Sequence, residues 1–394
     1  MIKRVFLCAG PGDIIDAHQY WKQNARYPKE VSLTFSGQIE DFCKEINATA
    51  YFVASHQRKA HLSDGAFTME HRPKRVRSGL RYHLGELAYG LGLIRTALRF
   101  KADVALVDSG SAHFFVFALF RLFGIRVVPI LHNTLWPSGF PPRKLIPRLI
   151  RRLDALIFWR RVPTAVIGVS PECERQVDQL RGKKLYTIFQ TRAQFYSDYF
   201  ARIPPPPPLG ARPFQIMFIG RIVRSKGVFD ILEIARRIEN SHPGLVRWEI
   251  CGRGPDFDEL RSHHTLLMLS DMVNIRGWTS LDDLVDVYAE SHVSIVPTRS
   301  SFTEGLAMTA AEAILAGRPV VTNPVVPALE VLREACVEAK TNDVDSHLEA
   351  VLKIATDAQL YGRKCAACFD YQAQFYDRTF GINAVLKRAL EPYL

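Results

Sequence analysis

The chain has 394 residues, of which 47% are hydrophobic and 11% aromatic, and its formal net charge is +11. This length and composition indicate a globular protein with two domains rather than one. The most apolar stretch, residues 114–123, is short and contains Arg121, so no membrane-spanning helix is expected. The first apolar run, residues 5–9, is too short for a secretion signal and leads into a glycine turn. We therefore expect a cytoplasmic protein.

The first half alternates short apolar runs with helical patterns, which is typical of a parallel α/β sheet. A strand at 5–9 leads into the loop Gly10-Pro-Gly12-Asp13, whose glycines fit either a ligand-binding turn or a structural one. Residues 56–80 are rich in Arg, Lys and His without periodicity and are predicted to form a loop. Further strands are predicted at 31–35, 48–53, 103–108, 126–131 and 164–170, and helices at 14–25, 39–46, 84–100 and 112–123.

His132 directly follows the strand predicted at 126–131. Open α/β sheets bind their ligands at the carboxyl ends of strands. A histidine at such a position is equally often a satisfied structural residue. From the residues alone, both interpretations of His132 remain open.

Residues 143–161 combine cationic and apolar side chains at helical spacing. This composition fits a surface helix that meets an anionic membrane, and it also fits a helix packed on the sheet with a solvated basic face. Another basic cluster lies at 72–77. Nucleic acid is not expected as a partner, because the chain has neither the basic–aromatic motif of an RNA-binding module nor a helix-turn-helix pattern. The cations of the longer cluster are Arg143, Lys144, Arg148, Arg151, Arg152, Arg160 and Arg161.

Five consecutive prolines at 204–208 form the clearest linker, because a polyproline segment is stiff and extended. We place an N-terminal α/β domain at 1–203 and the Pro-rich linker at 204–213. A second α/β domain follows at 214–370, and a C-terminal helical segment at 371–394.

The second half begins with a predicted strand at 214–219 that runs into Gly220. Arg221 and Lys226 follow this glycine turn before a helix at 228–239. A glycine turn at a strand end with Arg and Lys beside it is a plausible phosphate clamp, since Arg grips two oxygens and Lys offers a point charge. The next strand, at 247–251, ends in Gly252-Arg-Gly254. A strand at 273–277 and a helix at 280–290 follow.

A strand–loop–helix–strand unit at 293–322 carries two carboxylates, Glu304 and Glu312. The helix is predicted to begin close to Gly305 and to occupy 307–316, so the amides of residues 305–308 would face a ligand and favour phosphate. Eight residues of helix separate positions by about 12 Å along the axis. The two carboxylates could therefore hold hydroxyl groups at opposite ends of an extended ligand, or they are exposed acids of an amphipathic helix.

Metal sites are not expected. Asp343-Val-Asp345 has the spacing of a metal-binding Asp-x-Asp, but it precedes a helical run and is predicted to be a helix N-cap with an acidic first turn. The pair Cys365 and Cys368 has no second pair at zinc-site spacing, and the seven cysteines are predicted to be structural and reduced.

The motifs of the second half resemble, in order and spacing over 214–335, those of the group 1 glycosyltransferases, the large retaining family four. The resemblance implies a GT-B fold, with two Rossmann-like domains, the active site in the cleft between them, and a C-terminal helix that crosses back to the first domain. The matching pieces are Gly220-Arg221 with Lys226-Gly227, Cys251-Gly252-Arg-Gly254-Pro255, Gly277 with Tyr288-Ala-Glu-Ser-His292, and Glu304 with Glu312.

The same resemblance assigns roles to residues. Arg221 and Lys226 would bind the donor diphosphate, Glu304 the sugar hydroxyls and Glu312 the ribose, while His132 would face the donor sugar. The loop of Gly10, Gly12 and Asp13 would lie against the donor phosphates or the acceptor, and loop 56–80 near the acceptor. The family's usual Glu-Gly-Phe-Gly is Glu304-Gly305-Leu306-Ala307 in this chain. The donor-binding set comprises Gly220, Gly252, Gly254, Gly305, Leu306, Ala307, Met308 and Glu312, and the catalytic set Arg221, Lys226, Glu304 and His132.

The resemblance thus implies a retaining glycosyltransferase that moves a sugar from a nucleotide-diphosphate sugar, with UDP favoured, to a hydroxyl acceptor. The product would belong to glycan, glycolipid or glycosylated-metabolite biosynthesis. No cofactor and no metal are expected. Two alternatives remain open: a nucleotide-sugar epimerase of the same fold, and a non-catalytic subunit that binds sugar nucleotides.

Overall fold

The structure is a computed structural model that describes residues 1–75, 78–183, 185–210 and 213–394. The chain divides into two compact units. Unit 1 comprises Met1–Leu135, Pro142–Gln194 and Arg378–Leu394, and unit 2 comprises Trp136–Pro141 and Phe195–Asp377. The boundaries expected at 204–213 and at 370 stay a prediction. Arg77 of the basic cluster and residues 211–212 of the linker lie outside the described residues.

Unit 1 is built on a sheet of eight strands among its described residues. The central strands are buried on both faces, so their sequences are nearly continuous apolar runs. The strands are β1 (Arg4–Ala9), β2 (Thr49–Ala54), β3 (Ala60–Asp64), β4 (Phe67–His71), β5 (Val104–Asp108), β6 (Arg126–Leu131), β7 (Val166–Gly168) and β8 (Ile188–Gln190). Their order is β3-β4-β2-β1-β5-β6-β7-β8, and every pair is parallel except β3 with β4.

The helices of unit 1 cover this sheet. A 3-10 turn at Phe114–Phe117 precedes the fourth helix, and a π-helical turn at Asp154–Trp159 continues the fifth. The helices are α1 (Ile14–Lys22), α2 (Phe35–Glu45), α3 (Gly79–Phe100), α4 (Ala118–Leu122), α5 (Leu145–Leu153) and α6 (Pro171–Arg181).

Unit 2 has a six-stranded sheet in which every pair is parallel. Its strands are β9 (Phe214–Ile219), β10 (Val246–Cys251), β11 (Val273–Gly277), β12 (Val293–Val296), β13 (Val320–Thr322) and β14 (Cys336–Glu338), in the order β11-β10-β9-β12-β13-β14. Its helices are α7 (Ser197–Phe200), α8 (Val228–Ser241), α9 (Phe257–Leu266), α10 (Leu281–Glu290), α11 (Met308–Leu315), α12 (Ala328–Val331), α13 (Val344–Thr356) and α14 (Ala358–Tyr376).

The last helix, α15 (Ile382–Leu390), belongs to unit 1 and packs on α2. Val385 and Leu386 are fully buried in the core of that unit, together with Phe42 of α2. The Ile2 amide donates to the Tyr393 carbonyl at 3.0 Å, which ties β1 to the turn after α15. The predicted α/β class with two Rossmann-like domains is confirmed.

Two predictions for unit 1 are wrong. Residues 31–35 are not a strand, because Thr34 caps α2, its hydroxyl accepting from the Gly37 amide at 3.3 Å. Residues 56–80 are not a loop throughout, because they contain the antiparallel pair β3 and β4. Its two-residue connection starts at Gly65, whose φ of +57° suits a tight hairpin turn. The alternating burial of β4 is the period-two pattern that the charged composition of this stretch obscured.

No helix in the described part of the chain has the length and apolar composition that a membrane crossing requires. The cytoplasmic location stays a prediction.

A buried acid–base pair joins α1 to α2 in unit 1. His18 Nδ1 hydrogen-bonds Glu40 Oε1, and both side chains are almost completely inaccessible. Burial raises the pKa of Glu40 to about 7, and the hydrogen bond to Glu40 raises the pKa of His18. At pH values between its unfolded and its folded pKa, each group is therefore mostly protonated in the folded protein and mostly deprotonated in the unfolded chain.

This pair should make stability depend on pH. Between pH 4.5 and about 7 the folded state binds more protons than the unfolded chain, so the free energy of unfolding contributed by the pair falls as pH rises. Urea denaturation from pH 5 to pH 8 should show a decrease on the order of 2 kcal/mol that Glu40→Gln removes. Glu349→Gln, an exposed change on α13, should keep the wild-type slope. An unchanged slope in Glu40→Gln would contradict this assignment.

Candidate functional site

Each sheet has a topological switch point, a pair of neighbouring strands from which later strands of the chain are added in opposite directions. In unit 1 this switch lies between β1 and β5, and in unit 2 between β9 and β12. The loops after neighbouring strands diverge there and leave a crevice at the carboxyl ends, which is where open α/β sheets bind ligands. The loops after these strands carry most of the predicted site residues of each unit. The exceptions are His132 after β6, Gly252 and Gly254 after β10, and Met308 and Glu312 within α11.

In unit 2, β9 ends at Ile219, and the turn that follows, from Gly220 on, carries both predicted phosphate-binding cations. Arg221 is exposed and makes no hydrogen bond or ion pair with any described residue. Lys226 closes a 3-10 turn, Arg224–Lys226, before α8. Gly227 follows at φ +75°, and a Cβ there would overlap the Pro297 carbonyl after β12. Only glycine therefore allows the Lys226 turn to pack against the neighbouring strand end.

Lys226 and Glu304, 78 residues apart in the chain, form a hydrogen-bonded ion pair. The same Glu304 oxygen, Oε1, accepts from the Thr298 hydroxyl at 2.8 Å. Glu304 is only 4% exposed, and its Oε2 has no hydrogen-bond partner in the part of the chain that the structure describes. The Lys226 ammonium also lies 4.5 Å from the centre of the Phe302 ring. One carboxylate oxygen thus holds the lysine, and the other remains for a ligand.

The helix after Glu304 begins at Met308, later than the sequence predicted. Gly305, Leu306 and Ala307 form a buried loop, and the Ala310 amide makes the first bond of the helix, to the Ala307 carbonyl. The amides at the helix start are therefore those of Met308 and Thr309. Ala307 has φ +72°, a left-handed conformation that costs a non-glycine residue about 1 kcal/mol. The glycine usual at this position in the family would adopt it without that cost.

Glu312 lies one helical turn further on α11. Its Oε2 accepts from the Tyr288 hydroxyl at 3.2 Å. Tyr288 is fully buried, and burial followed by the charge of Glu312 raises the pKa of this tyrosine well above its usual value. Tyr288 therefore stays a neutral donor that fixes the Glu312 carboxylate.

Gly252 and Gly254 bring the turn after β10 against the turn after β9. The Gly252 amide donates to the Gly277 carbonyl at 2.6 Å, with Gly252 at φ +141°. A Cβ at Gly252 would lie within 3.0 Å of the Gly220 carbonyl, and one at Gly254 within 3.0 Å of the Ile222 backbone. These glycines shape the Arg221 turn by close backbone packing.

In unit 1, the loop after β1 is joined to β5. Asp108, at the end of β5, is 4% exposed, and its Oδ2 accepts from the Gly10 amide at 3.3 Å. His132 Nε2 lies 3.3 Å from the other Asp108 oxygen, and the His132 ring packs edge-on against Phe35 at 4.4 Å. Sequence reasoning missed Asp108, although it ends a predicted strand beside the one that carries His132.

Asp13 caps α1, accepting from the Asp16 amide at 3.0 Å. Its carboxylate also lies 3.5 Å from His71 Nε2 and 3.9 Å from His56 Nε2, at the ends of β4 and β2. Both histidines were missed because the strand that carries His71 was not predicted. Desolvation lowers the pKa of His71, which is 3% exposed, so its imidazole is held neutral.

Asp343 is the N-cap of α13, its side chain accepting from the Ser346 amide at 2.9 Å, and Asp345 lies in the first turn. The prediction of a helix cap there is confirmed. Within 1–75, 78–183, 185–210 and 213–394, no three His, Cys, Asp or Glu side chains cluster as metal ligands would. All seven cysteines are free thiols, and six are buried.

Comparison with known proteins supports the predicted resemblance. The family described as Glycosyl transferases group 1 matches residues 201–368, which is less than half of the chain. These residues are similar to the group 1 glycosyl transferases, and the match supports the predicted enzyme class, glycosyltransferase. A glycogen synthase of Mycobacterium tuberculosis is 24% identical over 319 residues, which is 73% of this chain and 72% of the relative.

Solved structures resemble this chain over its whole length. The sucrose-phosphate synthase of Thermosynechococcus elongatus superposes with a TM-score of 0.71 at 14% identity, covering 100% of both chains. Anabaena HepE in complex with UDP superposes with a TM-score of 0.67 at 16% identity, covering 99% of this chain and 100% of the other. At these identities the likeness concerns the fold, which is the predicted GT-B class.

Alanine substitutions should separate glycines required by backbone packing from glycines near a ligand. A Cβ at Gly12 meets no atom within 4 Å and requires no unusual φ, so Gly12→Ala should change the free energy of unfolding by less than about 0.5 kcal/mol. Gly252→Ala should lower it by roughly 3 kcal/mol or more, since it adds strain and overlap. Urea denaturation measures both. A Gly12→Ala variant with wild-type stability and wild-type turnover would show that the Gly10–Asp13 loop is not part of the site.

Proposed function

We propose that the protein is a retaining glycosyltransferase that transfers a hexose from a nucleotide-diphosphate sugar, with UDP as the favoured nucleotide, to a hydroxyl acceptor. The reaction would serve glycan, glycolipid or glycosylated-metabolite biosynthesis. The observation that carries the proposal is the Lys226–Glu304 pair at the switch point of unit 2, beside the exposed Arg221. A relative in the fold comparison was solved with UDP, which supports the choice of nucleotide.

Each side chain then has a chemical task. Arg221 and Lys226 bind the diphosphate, and the first amides of α11 add further positive potential. As the bond between the anomeric carbon and the diphosphate oxygen breaks, negative charge grows on that oxygen. Fixed cations stabilise this charge more in the transition state than in the ground state, which is the main source of acceleration.

The carboxylates orient the donor. The unpartnered Oε2 of Glu304 accepts a sugar hydroxyl, while Glu312, fixed by Tyr288, accepts from the ribose. The acceptor oxygen forms its bond to the anomeric carbon on the face that the leaving group vacates. Its proton passes to the departing diphosphate oxygen, so the products are the glycoside and the nucleoside diphosphate. In unit 1, His132 lies beside Asp108, and we assign it a contact with the donor sugar.

A panel of nucleotide sugars tests the proposal by thermal stabilisation of the purified protein. We expect UDP-sugars to raise the melting temperature, and Arg221→Ala or Lys226→Ala to abolish the shift. Arg247→Ala, which removes an exposed cation of β10, should keep it. No shift with any nucleotide sugar would overturn the proposal.

Donor consumption separates the alternatives. A transferase consumes the donor when a hydroxyl acceptor is supplied and releases nucleoside diphosphate. An epimerase would convert the donor alone without releasing nucleotide, and a non-catalytic subunit would bind the donor and leave it unchanged.

Glu304→Gln and Lys226→Met should have different effects. Lys226→Met removes a charge-assisted contact and should weaken UDP binding by roughly 10-fold or more. Glu304→Gln removes the counter-charge of Lys226, so UDP should bind at least as tightly as to the wild type, while kcat falls on the order of 100-fold because a sugar contact is lost. Calorimetry with UDP and steady-state kinetics measure the two effects. Equal loss of UDP affinity in both variants would contradict these roles.

A further inference from the structure

Helix α5 of unit 1 is amphipathic, and none of its apolar side chains is buried by the rest of the described chain. None of its nine residues is buried, and Leu145, Ile146 and Leu149 are 81%, 47% and 55% exposed. With 100° per residue, the five apolar side chains from Leu145 to Leu153, Pro147 aside, occupy an arc of about 140°. Its arginines, Arg148, Arg151 and Arg152, occupy about 100° on the other side.

The segment 143–161, which contains α5, is nevertheless firmly attached to unit 1. The π-helical turn that continues α5 buries Phe158 and Trp159 completely, and their rings pack on Phe114 at 5.3 and 4.7 Å. The Trp159 carbonyl accepts from the Tyr186 hydroxyl at 2.6 Å. Phe158 and Trp159 thus anchor the segment in unit 1, while the leucines of α5 remain exposed.

The charge of the segment is strongly positive. Between 143 and 161 there are seven Arg and Lys side chains and a single carboxylate, Asp154, so this stretch carries a net +6 of the total +11. Asp154 is turned inward and accepts from the Phe115 amide at 2.8 Å. Arg148 and Arg152 are exposed and form no ion pair with a carboxylate among the described residues.

A second exposed apolar group lies next to the π-helical turn. Leu80 and Tyr82, at the start of α3, are 70% and 44% exposed. Tyr82 packs edge-on against His113, and His113 stacks on Phe115, whose amide binds Asp154. The apolar surface at the start of α3 is therefore connected by direct contacts to the basic segment.

We propose that unit 1 docks on an anionic lipid bilayer through α5. Leu145, Ile146 and Leu149 would enter the interface between headgroups and acyl chains, as the apolar face of an interfacial helix does. The arginines would extend along the surface and place their guanidinium groups among lipid phosphates.

Charge and area favour this occupant over a second copy of the chain. A symmetric dimer through α5 would bring two +6 segments together, which Coulomb repulsion opposes. Stable protein interfaces bury about 800 Å² on each partner, whereas α5 offers a single narrow strip of apolar side chains. An anionic bilayer satisfies both the cations and the leucines without needing a large complementary surface.

Vesicle sedimentation tests the proposal on the full chain, without sugar donor, so its result is independent of the transferase assignment. The protein should bind vesicles of phosphatidylcholine mixed with phosphatidylglycerol, bind phosphatidylcholine alone at least 10-fold more weakly, and dissociate as salt is raised. Arg148→Gln with Arg152→Gln should lower the partition coefficient roughly 20-fold, since each cation near the surface contributes about fivefold. Leu145→Ser with Leu149→Ser should lower it roughly 10-fold or more.

Matched controls lie in unit 2. Leu266→Ser with Met268→Ser removes two highly exposed apolar side chains, and Arg247→Gln with Arg261→Gln removes two exposed cations. Both controls should bind vesicles as the wild type does, and all variants should keep the wild-type melting temperature. Absence of wild-type binding to anionic vesicles, or equal loss in the controls, would overturn the proposal. A dimer in analytical ultracentrifugation that the Leu145 and Leu149 changes dissolve would also overturn it, in favour of a second copy.

Discussion

The ligand-binding edge of unit 2 depends on close contact between backbones. The carbonyl of Gly220 and the backbone of Ile222 occupy the space that side chains at Gly252 and Gly254 would need, and the Pro297 carbonyl does the same at Gly227. Three strand ends therefore approach one another more closely than any residue with a Cβ would allow. This approach fixes the turn that carries Arg221 and Lys226 and places it beside the strand that leads to Glu304.

The Lys226–Glu304 pair fits this geometry because it is largely withdrawn from water. A buried carboxylate without a partner would be costly, and Lys226 and Thr298 together satisfy one oxygen of Glu304. The arrangement keeps a cation and an acceptor oxygen ready at one place, so neither has to be reorganised when a donor binds. The left-handed conformation of Ala307 shows that the loop holds its shape against a local conformational cost.

Much of unit 2 could be predicted from the sequence, because its strands are short apolar runs, and β9, β10 and β11 lead into or end at a glycine. The strand predicted at 293–296 is β12, and the helix predicted at 280–290 differs from α10 by one residue. The start of α11 was placed too early, since the helix-forming composition of the sequence gives no sign of the loop conformation at Ala307. The pairing of Lys226 with Glu304 could not be predicted from local sequence patterns, because it arises from the adjacency of β9 and β12 in the sheet.

Unit 1 was less predictable for a related reason. Its β3–β4 hairpin lies in a stretch of charged residues whose alternation is weak, and missing it hid His56 and His71 beside Asp13. Asp108 and His132 were visible only as the ends of separate strands. Their proximity follows from parallel pairing of β5 with β6, which brings equivalent ends of neighbouring strands to one edge.

The return of α15 to unit 1 has a consequence for synthesis on the ribosome. Domains generally fold as units, and those made first usually fold first. Here the core around Phe42 is completed by Val385 and Leu386, which are translated after all of unit 2. Unit 2, whose sheet is formed by one continuous stretch, can assemble while unit 1 still lacks α15, so the core of unit 1 can be completed only after the last residues of the chain have been translated.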